Sequence, residues 1–240
     1  DVCSSDLTFE SKISSMAFSP LTKNNWYVST ENGEFYYSID SGETFSLTSS
    51  FNGPESHYFY GSSILPSPID SQRIYIAGSG YSNPGVYLSI DGGQTFSPFD
   101  SNLPNTLIYD LACLPDESMI FAATEVGPYA YSFDHGVWED MSENDAPDQV
   151  YWSVEYIHEI QTVRFGTYGR GIWDFTFNYN PVLSIGDINQ DEVINLDDLF
   201  TLLGIISLNL NIEEQVLILG DLNYDGILDV FDLLLLVDII

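Results

Sequence analysis

Basic residues are scarce in this sequence. Only 5 lysines and arginines stand against 36 aspartates and glutamates in 240 residues, which gives a formal net charge of −31 at pH 7. No lysine or arginine follows Arg170. This balance excludes nucleic-acid binding, which needs a basic footprint. It also excludes docking on anionic lipid, because like charges repel.

Cysteines and long apolar runs are scarce as well. The apolar run at 233–237 stops at Asp238, well short of the roughly 20 residues that cross a membrane. Cys3 and Cys113 allow either a disulfide in an oxidising compartment or two free buried thiols. The chain opens DVCSSDLTFE without the charged and apolar regions of a signal peptide. We therefore expect a fragment, or the mature product, of a secreted extracellular protein.

Two acidic loops of twelve residues, 34 positions apart, occupy the C-terminal quarter: DINQDEVINLDD at 187–198 and DLNYDGILDVFD at 221–232. Oxygen-bearing side chains fill loop positions 1, 3, 5, 9 and 12, and position 7 supplies a backbone carbonyl. Ca²⁺ takes six to eight oxygens at about 2.3–2.6 Å, so this spacing predicts two calcium sites. The predicted ligands are Asp187, Asn189, Asp191, Val193, Asn195 and Asp198, then Asp221, Asn223, Asp225, Ile227, Asp229 and Asp232.

The two loops differ at position 6, which makes a sharp turn and favours glycine. Gly226 occupies it in the second loop and Glu192 in the first, so we expect the first site to be weaker. Residues 184–240 contain 12 acids and no base. Without cations this charge should leave the segment loose or unfolded. An apolar segment of matching register follows each loop and predicts a helix.

A repeat with β-type alternation runs through the rest of the chain, at 26–45, 74–96, 120–140 and 163–175. Two copies close with S-x-D-x-G-x-T-F, and a third is degenerate around Asp134. The spacing is 51 residues from Asp40 to Asp91 and 43 from Asp91 to Asp134. This is typical of four-stranded propeller blades. We interpret the motif as a structural hairpin turn. Its residues are Ser38, Asp40, Gly42 and Thr44, then Ser89, Asp91, Gly93 and Thr95.

The strand repeat and the pair of acidic loops each resemble a known family. The S-x-D-x-G-x-T-F copies, with FGTYGRGIW at 165–173, resemble the Asp-box (BNR) β-propellers of sortilin-like and xyloglucanase-like proteins. In those families the Asp box lies away from catalysis. The two acidic repeats resemble a type I-like dockerin. That resemblance implies a small helical domain that folds on two Ca²⁺ ions and docks on a cohesin of a scaffold protein. It implies partner contacts at Leu196, Asp197, Val230 and Phe231.

The predicted architecture is a mainly β propeller, incomplete in this chain, followed by a small helical calcium-binding domain. The expected parts are residues 1–177 as blades, 178–185 as linker and 186–240 as the dockerin-like domain. No catalytic constellation stands out, so whether the chain is an enzyme stays open. Acids such as Asp110 and Glu155 carry no local motif. Aromatics such as Tyr151 and Trp152 either line a sugar-binding face or form blade core.

Three functions remain in view. The first is an anchoring protein in extracellular polysaccharide breakdown, whose dockerin-like module fixes an Asp-box propeller to a cohesin-bearing scaffold. The second is the C-terminal part of a xyloglucanase-like glycoside hydrolase whose catalytic carboxylates lie in missing blades. In the third, the calcium pair is a folding element without a cohesin partner. Sialidase activity is not expected, because the chain has only three arginines.

Overall fold

The computed structural model describes residues 9–49, 51, 53–54, 62–142, 146–177, 185–191, 193–208, 214–223 and 225–240. The chain divides into two compact units, Asp1–Phe177 and Asn178–Ile240. Nearly all of the predicted linker, together with Cys3 and Glu192, lies outside the described residues. The disulfide alternative and the expected strain at Glu192 therefore stay predictions. No helix in the described part is long and apolar enough to cross a membrane.

The described part of the first unit contains four antiparallel sheets whose strands follow sequence order. The first sheet consists of β1 (Ile13–Phe18), β2 (Trp26–Thr30), β3 (Phe35–Ser38) and β4 (Ser46–Leu47). The second consists of β5 (Ser63–Pro66), β6 (Ile74–Ala77), β7 (Val86–Ser89) and β8 (Ser97–Pro98). The third consists of β9 (Ile108–Cys113), β10 (Met119–Thr124), β11 (Pro128–Ser132) and β12 (Val137–Asp140). The fourth consists of β13 (Tyr151–Ile157), β14 (Thr162–Thr167) and β15 (Ile172–Thr176).

The second strand of each sheet is the most deeply buried. In β6 all four residues are buried, and β10 is buried from Ile120 to its end. Such continuous apolar runs occur where a strand is covered on both faces. One core cluster, around Tyr27, Phe35 and Ile74, joins the first sheet to the second. Another, around Tyr75 and Trp138, joins the second sheet to the third.

Consecutive sheets also touch through their first strands. Strand β1 contacts β5, β5 contacts β9, and β9 contacts β13. The sheets therefore fan out with their first strands innermost, which is the arrangement of successive propeller blades. The prediction of several antiparallel sheets is confirmed. Within the described residues the fourth sheet has three strands, one fewer than the repeat predicted.

In its described residues the second unit contains three helices, α1 (Leu196–Leu208), α2 (Glu214–Gly220) and α3 (Val230–Ile239). Each of the two longer helices begins inside an acidic loop, and α1 contacts α3. The small core of the second unit consists of Ile188, Leu202, Leu219 and Leu236. Leu202 and Leu236 hold the same position in the two repeats, 34 residues apart, and neither is exposed. The repeat thus places equivalent leucines at the centre of this unit.

Candidate functional site

The first acidic loop is held by hydrogen bonds from backbone amides to its own side chains. The Asp191 amide donates to Asp187 Oδ1 at 3.1 Å and to Asn189 Oδ1 at 3.0 Å. The Val193 amide donates to Asp191 Oδ1 at 3.0 Å. These bonds turn successive oxygen-bearing side chains toward the inside of the loop. Gln190 lies in the left-handed region with φ of 61°, a turn that the sequence pattern had not indicated.

The second loop repeats this pattern bond for bond. The Asp225 amide donates to Asp221 Oδ1 at 3.0 Å and to Asn223 Oδ1 at 2.9 Å. The Ile227 amide donates to Asp225 Oδ1 at 2.9 Å. Gly226 has φ of 84° and its amide donates to Asp221 Oδ2 at 2.8 Å. Glycine adopts this conformation without steric cost, which accounts for its place at position 6.

The twelfth residue of each loop is a fully buried aspartate. Asp198 Oδ1 accepts from the Ile188 and Asn189 amides, and its Oδ2 accepts from the Asn195 amide at 2.8 Å. Asp232 accepts the equivalent three amides, from Leu222, Asn223 and Asp229. In α3 this aspartate also forms a capping box with Asp229. Both carboxylates therefore stabilise a helix N-terminus, where negative charge is favoured.

Within the described residues, three carboxylates converge in the first loop but not in the second, in a unit whose sequence contains no lysine or arginine. One oxygen each from Asp187, Asp191 and Asp198 lies within 4.8 Å of the others. Asp187, Asp198, Asp221 and Asp232 are all buried, and residues 178–240 contain no lysine or arginine. Burying several carboxylates without counter-charge is costly. The predicted ligands of the two loops are carboxylate, amide and backbone carbonyl oxygens, and Ca²⁺ binds oxygen ligands of these types.

The predicted partner-binding residues lie in the first turns of α1 and α3. Leu196, Asp197, Val230 and Phe231 are all exposed. Further apolar side chains continue along the same helices, at Phe200, Leu203, Leu234 and Val237. They follow Leu196 and Val230 at intervals of four and seven residues, which places each set on one helix face. Each repeat therefore presents an exposed apolar stripe next to its acidic loop.

The Asp boxes form the turns that follow the third strand of the first and second sheets. In the first, Ser38 Oγ donates to Asp40 Oδ1 at 2.7 Å and accepts from the Gly42 amide at 2.9 Å. The Thr44 amide and hydroxyl donate to the two oxygens of Asp40 at 2.9 and 2.5 Å. Ser89, Asp91, Gly93 and Thr95 make the same bonds in the second. Every polar group of the motif thus serves the turn.

The degenerate third copy keeps the turn without the aspartate network. The Gly136 amide donates to the Ser132 carbonyl at 2.8 Å, and Gly136 has φ of 71°. Within the described residues Asp134 is exposed and makes no hydrogen bond through its carboxylate. Gly93, by contrast, is tightly packed, because a Cβ there would lie 2.9 Å from a ring carbon of Phe35. The second Asp box is therefore also a contact between the first two sheets.

Asp110 ties the innermost strands of three sheets together. Its Oδ1 accepts from Ser63 Oγ on β5 at 3.1 Å, and its Oδ2 accepts from the Val154 amide on β13 at 3.1 Å. Burial raises the pKa of Asp110, against the lowering effect of these hydrogen bonds. It lines a cavity of about 310 Å³ together with Glu155 and Arg164. Two acids without a sequence motif therefore do meet at one cavity.

A buried ionic cluster that the sequence pattern did not indicate links the second sheet to the third. Glu117, in the β9–β10 turn, accepts hydrogen bonds from Ser67 and Tyr75. It pairs with Arg73 at 3.1 Å. Burial, and then the bond to Glu117, raise the pKa of Tyr75 far above its ordinary value, so the Tyr75 hydroxyl keeps its proton. Glu117 also has φ of 56°, which marks a constrained turn.

Aromatic side chains are divided between core and surface. Tyr151 is fully buried, as a blade-core residue should be, but the adjacent Trp152 is 50% exposed. The ring of Trp152 lies 4.4 Å from that of Tyr109 and 6.2 Å from that of Tyr168. Cys113 is half-buried on β9, and burial raises the pKa of its thiol to about 12. A thiol of this kind is unreactive at neutral pH.

Comparison with known proteins supports the fold of the chain. No family model and no curated protein matches the sequence. A GH74 enzyme from Niastella koreensis resembles it with a TM-score of 0.55 and 19% identity, over 67% of this chain and 27% of the enzyme. The extracellular domain of BT4673 from B. thetaiotaomicron gives 0.52 and 21% identity, over 72% of this chain and 23% of its own. The chain thus spans about a quarter of these structures, and the likeness supports a propeller-like β fold.

Proposed function

We propose that residues 186–240 form a dockerin-like module which folds around two Ca²⁺ ions and attaches the β-sheet unit to a cohesin-bearing scaffold. The protein would act in extracellular polysaccharide breakdown, where the module would anchor the propeller to the scaffold. The observation that carries this proposal is the pair of loops with matching hydrogen bonds around buried carboxylates. Residues 178–240 contain no lysine or arginine to compensate these charges.

Calcium would do two things for these loops. Asp187, Asp191 and Asp198 would hold one ion together with Asn189, Asn195 and the carbonyl of Val193, and the equivalent residues of the second loop would hold the other. Each cation supplies the positive charge that the buried carboxylates lack. Because Asp198 and Asp232 also cap α1 and α3, cation binding and helix formation would be coupled. The exposed stripes on those helices would then be presented to the partner.

Calcium titration of the full chain tests the proposal, with calorimetry for binding and circular dichroism at 222 nm for helicity. We expect two binding events and a gain of helicity. Asp187→Asn should remove the weaker event and Asp221→Asn the stronger, since Asn removes the charge but keeps one oxygen, which can still accept the Asp191 or Asp225 amide. At Asp221 the bond from the Gly226 amide is lost as well. Asp238→Asn is the matched control, because it removes the same charge outside both loops. Equal helicity in chelator and in calcium, with no binding heat, would contradict the proposal.

Capture by immobilised cohesin modules tests the partner. Binding should occur in calcium, disappear in chelator, and fall on Leu196→Asp or Val230→Asp. Phe18→Asp offers a matched control, since Phe18 is similarly exposed but lies on β1. If calcium folds the helices and no cohesin is retained, the calcium pair is a folding element only.

A second candidate function is that the chain is part of a glycoside hydrolase, and the fold likeness to a GH74 enzyme favours it. Glycoside hydrolysis uses two carboxylates at about 5–9.5 Å, one on each side of the scissile bond. Asp110 and Glu155 line one cavity, but Asp110 is already engaged by three hydrogen bonds. The catalytic pair is therefore proposed to lie outside these 240 residues. Release of reducing ends from a β-glucan by this chain alone would contradict that placement.

A further inference from the structure

Two β-bulges project aromatic side chains at equivalent places in adjacent sheets. In the third sheet, Ala123 pairs with Asp110 and Thr124 pairs with Ile108, so Tyr109 is the extra residue. In the fourth sheet, Tyr151 pairs with Thr167 and Ser153 with Gly166, so Trp152 is the extra residue. A bulge leaves one residue unpaired and redirects its side chain. Both bulges lie near the start of the innermost strand of their sheet.

The same end of the fourth sheet contributes a third aromatic ring. Tyr168 follows β14 in the turn to β15 and is 76% exposed. Rings of Tyr109 and Trp152 are inclined at 40°, and those of Trp152 and Tyr168 at 57°. In an antiparallel meander, the start of the first strand and the end of the second lie at one end of the sheet. The Asp-box turns follow the third strands and lie at the other end. We call Tyr109, Trp152 and Tyr168 the aromatic platform.

A polar cavity adjoins the aromatic platform. The residue that follows each bulged aromatic, Asp110 and Ser153, lines the cavity of about 310 Å³ together with Glu155 and Arg164. This volume lies at the small end of the range for ligand sites. Gly166 leaves room for Ser153 here, because a Cβ at that position would lie 2.6 Å from Ser153 Oγ. Hydrogen-bonding groups of both charge signs therefore lie beside exposed rings.

We propose that the aromatic platform and the adjoining cavity bind a chain of a neutral polysaccharide. The C–H faces of pyranose rings would stack on Trp152 and its neighbours, and hydroxyl groups would bond to Glu155 and Arg164 of the cavity. Tyr and Trp combine a large apolar face with a polar group, which suits such amphipathic sugars. The first unit contains 24 acids against 5 bases, so an anionic glycan would be repelled.

This proposal goes beyond attachment through the C-terminal unit and does not depend on calcium. Polysaccharide binding by the full chain can be measured as retardation in native gels. The gels contain hydroxyethyl cellulose or galactomannan as neutral polymers, and polygalacturonate as the anionic comparison. The wild type should be retarded by a neutral polymer, equally in calcium and in chelator. Trp152→Ala should weaken binding at least about tenfold, while Trp152→Phe, which keeps an aromatic face, should retain most of it.

Two further variants separate a binding role from a structural one. Phe18→Ala removes an exposed aromatic residue from the far end of β1, and its binding should equal that of the wild type. Tyr168→Ala changes an exposed turn and should weaken binding without loss of folding, measured by the thermal midpoint. The proposal is overturned if no neutral polymer retards the wild type, if polygalacturonate retards it most, or if Trp152→Ala behaves like Phe18→Ala. If the wild type is retarded by a neutral polymer but shows neither calcium binding nor a gain of helicity in calcium, only the docking proposal is overturned.

Discussion

At the scale of single residues, Asp40 shows how an exposed carboxylate can be strongly perturbed. Hydrogen bonds from the Thr44 hydroxyl and amide, with one from Ser38, lower the pKa of Asp40 to about 2. In Asp91 burial acts in the opposite direction, but the bonds from Thr95 and Ser89 prevail and its pKa is also lowered. These shifts belong to turn formation, so a perturbed pKa here identifies a structural aspartate rather than a reactive one.

The Asp-box bonds predict a pH-dependent effect of Asp40→Asn. A folded-state pKa below the unfolded value means that the ionised group stabilises the fold above about pH 4, and that this contribution is lost as the pH falls toward 2. Asp40→Asn should therefore lower the thermal midpoint at pH 7 by at most about 3 °C. The difference from wild type should shrink between pH 4 and pH 2. Thermal melts of both proteins across this range measure the effect.

Asp134→Asn provides the comparison for Asp40→Asn. Asp134 holds the same place in the degenerate third turn, but within the described residues no hydrogen bond reaches its carboxylate. Its substitution should leave the thermal midpoint unchanged at every pH. A pH-independent loss in Asp40→Asn, or an equal loss in Asp134→Asn, would show that the aspartate hydrogen bonds do not stabilise the turn.

At the scale of elements, the sheets are joined by polar groups as well as by apolar cores. Glu117 lies in the β9–β10 turn of the third sheet. Its side chain contacts Ser67 and Arg73 in the β5–β6 connection of the second sheet, and Tyr75 on β6. Its side chain is almost completely buried, whereas that of Arg73 is about one quarter exposed. Loss of one partner of a buried ion pair leaves an uncompensated charge, which costs more than the pair contributes.

Glu117→Gln should therefore lower the free energy of unfolding by about 2 kcal/mol, since the amide keeps a hydrogen-bond acceptor but leaves Arg73 only the more exposed Asp70, at 3.5 Å, as a counter-charge. Urea unfolding followed by tryptophan fluorescence measures it. Asp174→Asn is the control, because it breaks the exposed Arg164–Asp174 pair, at 2.7 Å, and should cost less than about 1 kcal/mol. Equal effects of the two substitutions would mean that the cluster does not join the sheets.

The elements differ in how far sequence predicted them. Alternation and repeat spacing predicted the paired strands around each turn, because a half-buried hairpin imposes a period of two on its side chains. The apolar segments of matching register that follow the two acidic loops predicted α1 and α3. The aromatic platform was not predictable, since a bulge depends on the pairing of strands and leaves no local pattern. Nor was the Glu117–Arg73 pair, whose members are 44 positions apart in sequence.

At the scale of the whole molecule, charge is divided unevenly. All five bases lie in the first unit, with 24 acids, whereas residues 178–240 carry 12 acids alone. The four tryptophans, at 26, 138, 152 and 173, belong to the first unit, and the three α-helices found among the described residues belong to the second. Tryptophan fluorescence and ellipticity at 222 nm therefore report the two units separately within one intact chain.

This division predicts that salt and calcium both stabilise the second unit by reducing the repulsion among its carboxylates. In chelator, raising NaCl from about 0.02 to 0.5 M shortens the screening length from about 20 to about 4 Å. Repulsion among twelve acids should weaken, so helicity and its melting midpoint should rise. In calcium the cations already offset part of that charge, so the salt effect should be smaller. The first unit spreads its 24 acids and five bases over 177 residues, so its charge density is lower. Its fluorescence transition should respond less to salt and serves as the internal reference. Helicity that responds to neither salt nor calcium would mean that carboxylate repulsion does not limit folding, and the acidic loops would then be helix caps alone.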